Sequence, residues 1–296
     1  MRPSRRGFTL IEITVALVMF SIVATVLTRM LILSQRVTTA QTVRASLQSN
    51  LRVGSLVVPN ELRMLNQSDS TDIADVSDSS ITYRAMRGYY VLCAVTSATS
   101  IKVINVQPSP YSFDYRAPVS GDSVFIFFEN DTLKMSDDKW APAQLTGAAA
   151  STCTFGGVSK VAHTFTLGGA VAGINTTRFP LTGFVLGAPV RTYELTRISL
   201  ITSGGQKWMG MCTGSASCAL QPVLGPLATN GLTITRYNDV GTVVTGNTFA
   251  NRNSLRSLKI RFIGIGEQNI SRGGDSRSVI QDTLTTVVTL RNVKQN

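Results

Sequence analysis

One histidine in 296 residues, His163, leaves little material for histidine-based acid–base or metal chemistry. It sits in KVAHTFTL, a β-like run in which a structural role is expected. The four cysteines form no CxxC pair, and with a single histidine beside them a metal site is disfavoured. The chain lacks a P-loop, HExxH and GxSxG. Ser136-Asp137-Asp138-Lys139 meets the SxxK spacing, but without the companion elements that a serine–lysine acyl-enzyme site needs. Gly168-Gly169, Gly204-Gly205 and Gly273-Gly274 lie between β-like runs and read as turns. Coiled-coil heptads and fixed-period repeats are also missing. Charged residues are scarce at 15%, yet 43% of the chain is hydrophobic, which marks a globular rather than a disordered protein. No convergent acid, base or nucleophile emerges, so neither an enzyme nor a cofactor is expected.

What the chain does have is concentrated at its start. A basic leader ending Arg5-Arg6-Gly7 is followed by Phe8-Thr9-Leu10-Ile11-Glu12 and then by ITVALVMFSIVATVL. Phe8 to Thr28 is 21 residues with one charge, about 31 Å of helix and enough to cross a bilayer. Arg2, Arg5 and Arg6 place the leader on the cytoplasmic side, and Arg29 can snorkel to the far interface. The lone carboxylate, Glu12, costs several kcal/mol in hydrocarbon unless it finds a partner, which makes it a functional position. A simple signal-anchor helix or an ordinary signal peptide are the plainer readings. An ordinary signal would end in a small-residue cleavage site, for which Ser21 to Thr25 is a weak match.

This stretch resembles the leader and N-terminal helix of type IV pilins and type II secretion pseudopilins. The resemblance implies that prepilin peptidase cuts after Gly7 and that Phe8 becomes the N-methylated N-terminus. It also implies that Glu12 docks each subunit into a filament, pairing with the Phe8 ammonium of a neighbour. The partners implied are other pilins or pseudopilins and the inner-membrane assembly platform. The head would then face the periplasm or exterior.

Cys93, Cys153, Cys212 and Cys218 all fall on the exported side, where an even count suggests two disulfides with three possible connectivities. Cys212 and Cys218 bracket TGSAS, a loop suited to a local bridge, which leaves Cys93 with Cys153. The formal charge of +11 falls to +8 without the leader arginines and favours anionic surfaces. Arg252, Arg256, Lys259, Arg261, Arg272 and Arg277 cluster toward the C-terminus, with Tyr237 and Phe262 as possible stacking groups. Nucleic-acid contact is therefore possible, although no binding motif accompanies them, and a solvated sheet edge guarded by arginine is the commoner explanation.

Along the chain, residues 1–7 read as leader and 8–33 as the transmembrane and assembly helix. Residues 34–66 read as its continuation onto the head, and 67–296 as a β-rich head. Val37, Val43, Leu47 and Leu51 recur near helical spacing, with Val53, Leu56 and Val57 thickening the stripe before Pro59 interrupts it. Asp69, Asp72, Asp75 and Asp78 recur every three residues. Some subunits of the resembled family bind calcium, but this run lacks the glycine and bidentate glutamate of an EF-hand and reads as a solvated linker. Strands are expected over 81–84, 89–95, 101–106, 123–129, 179–186, 190–201, 232–237, 257–264 and 278–291. A loop at 267–277 is expected to join the last two.

The expected fold is α+β, a long N-terminal helix packed on an antiparallel sheet, the pilin-like layout. SGDSVFIFFEND with Trp140, NGLTITRYNDVG and DTLTTVVTLRN faintly echo the large PilW-type and J-type minor pilins. The large head, and arginine at position 29 where many major pilins carry proline, point away from a bulk filament subunit. The expected role is a minor pilin or pseudopilin that primes assembly or sits near the tip. The rival role is a membrane-anchored receptor for a ligand or DNA that never polymerises.

Overall fold

The computed structural model describes residues 9–63, 65, 72–105, 118–129, 133–134, 138–168, 173–214, 217–271 and 277–290. The chain forms two compact units: Met1–Asn50 with Ile265–Asp282, and Leu51–Gly264 with Thr283–Asn296.

Helix α1 runs Leu10–Arg63, 54 residues. It passes through Pro59 instead of breaking there. Val58, Pro59 and Leu62 are buried, and their packing outweighs the one backbone hydrogen bond that proline removes. In the first unit, Gly266 lets Val43 approach the sheet strand closely, because a Cβ at 266 would stand 2.8 Å from Val43 Cγ1. In the second unit, Leu51, Gly54, Val58 and Leu62 form the buried stripe of the helix end. Val53, Leu56 and Val57, expected to thicken that stripe, are exposed.

The strands are β1 (Ile73–Val76), β2 (Ser80–Ser97), β3 (Ser100–Asn105), β4 (Ser123–Phe128), β5 (Lys139–Phe155), β6 (Val158–Leu167), β7 (Pro189–Ser203), β8 (Gln206–Thr213), β9 (Gln221–Tyr237), β10 (Ser257–Ser271) and β11 (Arg277–Thr289). A short helix, α2 (Phe249–Asn253), precedes β10. The order across the sheet is β1-β2-β3-β6-β5-β4-β7-β8-β9-β10-β11, with an additional pairing of β2 to β7. That pairing closes β2-β3-β6-β5-β4-β7 into a ring whose six interfaces are all antiparallel. Inside it stand the alternate residues of each strand, among them Tyr90, Leu92, Val103, Val124, Ile126, Leu145, Phe165 and Val190. Closure lets short apolar runs bury a shared core without leaving edges.

Several expectations need correction. The strands expected at 81–84 and 89–95 are one strand, β2. Its break in pattern is a bulge in which Met86 and Gly88 oppose consecutive residues of β7 and Arg87 is the extra residue. Residues 179–186 form no strand. Leu181–Gly183 is a 3-10 turn, and Phe179 and Phe184 reach from this loop into the ring core. The acidic stretch is not merely a solvated linker, since β1 lies within it and Asp72 is buried. β10 continues to Ser271, so the loop expected from 267 begins later. Because β10 lies between β9 and β11, Lys259 and Arg261 sit on an interior strand and do not guard a sheet edge. β5 went unread because KWAPAQLTGAAAST carries alanine, glycine and proline where a strand would carry β-branched residues. Of its small residues, Ala141 and Ala143 face the crowded ring interior, while Ala148, Ala149 and Ala150 are exposed.

Candidate functional site

Gly7 and Phe8 lie outside the described residues. The helix that follows opens with a reciprocal cap. The Thr9 backbone N–H donates to Glu12 Oε2 at 2.9 Å and the Thr9 hydroxyl donates to the same oxygen at 3.0 Å. The Glu12 N–H donates back to Thr9 Oγ1 at 3.4 Å. This is the T-x-x-E capping box, which satisfies orphan N–H groups at a helix start and gives the lone carboxylate a local partner. Downstream, the polar side chains are folded back on the helix. Thr14 donates to the Ile11 carbonyl, Ser21 to Val18, Thr25 to Ser21 and Thr28 to Ala24, at 2.7–2.9 Å. Hydroxyls satisfied in this way present little polar surface to hydrocarbon. Among the described residues α1 is the one helix long and apolar enough to cross a membrane.

At its other end α1 is held by packing and charge. Gly54 admits the Leu224 side chain of β9, and a Cβ at 54 would stand 2.5 Å from Leu224 Cδ2. The bulge residue Arg87 reaches Glu194 of β7 through Nε at 3.2 Å and faces Glu61 of α1 through Nη1 at 3.8 Å. Tyr83 lies buried alongside. Burial, reinforced by the Glu61 charge and partly offset by Arg87, pushes its phenol far above the usual tyrosine range.

The segment after the helix is clamped by a second buried arginine. Arg191 of β7 donates to both oxygens of Asp72, at 3.0 and 3.2 Å, and its guanidinium stacks 4.4 Å from the Trp140 ring centroid and 5.1 Å from that of Phe125. Arg84 covers the other aromatic pair, Phe125 stacked on Tyr193 with centroids 4.5 Å apart. Asp78 pairs with Arg236 at 2.8 Å, and Asp75 bonds Asn247. The three described aspartates thus serve three separate partners. Among the described residues no group of three or more His, Cys, Asp or Glu is placed to hold a metal ion. Asp69 lies outside them.

Cys93 is bonded to Cys153 and Cys212 to Cys218, with Cα separations of 6.4 and 5.8 Å. The first bridge joins β2 to β5, strands that are not hydrogen-bonded neighbours. His163 is half-buried beside the rings of Tyr90 and Phe165, as a structural histidine would be. Phe262 is fully buried, so it offers no face to a base. Arg252 and Arg256 donate to loop carbonyls of Asn247, Asn253 and Leu255, while Lys259 and Arg261 are exposed on β10. Arg272, the Arg277 side chain and the serine of the SxxK run fall outside what is described. Sequence reasoning missed Arg87, Arg191 and Asp72. An arginine in a β-like run ordinarily reads as solvent-facing, and nothing local signals that a distant aspartate will cover it.

The family described as the prokaryotic N-terminal methylation motif matches residues 2–28. The chain therefore carries the type IV pilin and pseudopilin signal on a transmembrane-capable helix, ahead of a disulfide-bonded β-rich head. Proteins defined by this motif are structural rather than catalytic. No curated protein matches the chain, and no solved structure does.

Proposed function

We propose that this protein is a minor pilin or minor pseudopilin, cleaved by prepilin peptidase between Gly7 and Phe8, N-methylated at Phe8, and inserted into a filament through its N-terminal helix. The observation that carries the reading is the methylation motif over residues 2–28 with a single carboxylate, Glu12, inside the apolar helix it opens. In the isolated chain both Thr9 bonds fall on Glu12 Oε2, which leaves Oε1 lone pairs for a donor from a neighbour. The Phe8 ammonium of that neighbour is the natural donor, because the pairing removes two uncompensated charges from an apolar setting. After extraction from the bilayer, Ile11, Val15, Val18, Ile22 and Leu27, all exposed in the single chain, become subunit interface.

The bulk of the head supports a place at or near the tip. A domain spanning 67–296 crowds its neighbours if repeated along a closely packed shaft, whereas the tip leaves one side open. Immunogold labelling of epitope-tagged filaments tests this. Sparse labelling at filament ends is expected, and dense regular labelling along the shaft contradicts it. A second reading, a membrane-anchored receptor that never polymerises, shares the head and the disulfides. Glu12→Ala separates the two: loss of filament incorporation with membrane insertion intact supports assembly, and unchanged incorporation contradicts a docking role for Glu12.

A further inference from the structure

The β5–β6 hairpin ends in an apolar tip whose side chains are exposed among the described residues. Phe155 and Val158 are cross-strand partners flanking the turn Gly156-Gly157, both glycines at positive φ (+61° and +79°). Glycine at both positions meets the positive φ that a two-residue hairpin turn of this kind requires. Among the described residues neither glycine has any atom within 4 Å of where a Cβ would sit, so the turn protrudes from them. The Phe155 ring lies against Gly187, whose added Cβ would be 3.5 Å from Phe155 Cζ, which brings the turn at Val185-Leu186 alongside. Val158 is 54% and Leu186 61% exposed. Two positions behind Phe155, the Cys93–Cys153 bridge fixes the hairpin to β2, so the tip is held in place. Single exposed apolar residues are ordinary, but four on two adjoining turns form a contact surface.

Charge identifies the occupant. Residues 139–168 and 173–187 contain Lys139, Lys160 and Arg178 and no acidic residue. Lys160 is exposed on β6 opposite Cys153, and Lys102 of β3 donates through Nζ to the Thr152 carbonyl at 3.4 Å, also just behind the tip. Apolar side chains at a protruding tip with cations set just behind match the cross-section of an anionic bilayer, acyl chains below and negative headgroups above. A protein groove would ask for shape rather than for this layered separation of apolar tip and basic collar.

We propose that the β5–β6 tip, with the adjoining 185–186 turn, docks the head onto an anionic lipid surface. Phe155, Val158 and Leu186 enter the headgroup–acyl boundary and Lys160 and Lys102 meet phosphate. This surface is independent of the N-terminal helix and of the assembly role proposed above. The test uses the full chain held by its own helix in nanodiscs of phosphatidylcholine, mixed with free vesicles. Co-flotation is expected with vesicles containing phosphatidylglycerol, at least about tenfold above vesicles of phosphatidylcholine alone. The double variant Phe155→Ser/Val158→Ser, at two exposed positions, should lose about tenfold of that binding. Lys160→Gln should lose a smaller part. In a Val158→Trp variant the new tryptophan fluorescence should be quenched by brominated lipid. Three results overturn the proposal: equal flotation with neutral and anionic vesicles, a double-serine variant that binds like the wild type, or a tip tryptophan that brominated lipid leaves unquenched. The second of these would reduce the binding to net charge alone.

Discussion

Leu27 and Leu62 belong to one helix and are chemically identical, yet Leu27 is 55% exposed and Leu62 is fully buried. The difference marks two kinds of apolar segment. From Leu10 to Leu33 almost every side chain is apolar and exposed, and the hydroxyls among them are turned back on the backbone. Such a segment suits a solvent other than water, which under the proposed function is lipid first and neighbouring helices afterwards. From Leu51 to Arg63 only one stripe is apolar and buried, with Glu61 directed to a buried arginine, so that part is finished by its own chain. On the proposed reading the same secondary structure serves assembly at one end and folding at the other. Substitutions should sort accordingly, leaving the fold intact at the first end and unfolding the head at the second.

The largest separation is expected at the leader. Gly7→Trp should leave a full-length, unmethylated precursor with an intact head, all or none on a gel and by mass. A processed product from that variant contradicts the assignment of the cleavage site. Next comes the clamp on the head. Asp72→Ala removes the bidentate partner of buried Arg191 and should cost about 3–5 kcal/mol in denaturant unfolding. The same variant should leave processing of the leader unchanged. A loss under about 1 kcal/mol would mean that water reaches the pair and that it behaves as a surface bridge.

How much of this was legible beforehand follows from what is local. The helix and its membrane-spanning length are written in contiguous residues, and so are the turn at Gly204-Gly205 and the final two strands, whereas β8 after that turn was not read. Closure of the ring is not. It depends on β2 pairing with both β3 and β7, and the bulge at Arg87 that permits this has no sequence mark. β5 was hidden because Ala141 and Ala143 are selected by the space inside the ring and not by strand propensity. The acidic run misled for a similar reason. Its period of three raises a calcium loop and, without the EF-hand residues, reads as a solvated linker, whereas Asp72, Asp75 and Asp78 each answer a residue more than a hundred positions away.

Smaller effects sharpen the contrast further. Replacing Cys93 and Cys153 together by serine opens a bridge across a separation of 60 residues and should cost about 4 kcal/mol. The Cys212–Cys218 bridge spans a separation of 6 and should contribute about 2 kcal/mol. Thermal or denaturant unfolding of each pair of variants gives the order directly, and equal losses would contradict it. The smallest change is expected at the helix start. Thr9→Val removes the hydroxyl from the capping box and should cost the first turn about 1 kcal/mol, read as faster amide exchange at Leu10 to Glu12 with the head unaltered.

The central claim, that the exposed half of α1 is made for processing and assembly, is tested most directly by the mass and N-terminal sequence of the protein recovered from its own cells. The account predicts a chain beginning at Phe8, lacking residues 1–7 and carrying one added methyl group on its N-terminal nitrogen. A chain that retains the leader, or one cut after Ser21 to Thr25 with Glu12 discarded, would contradict it.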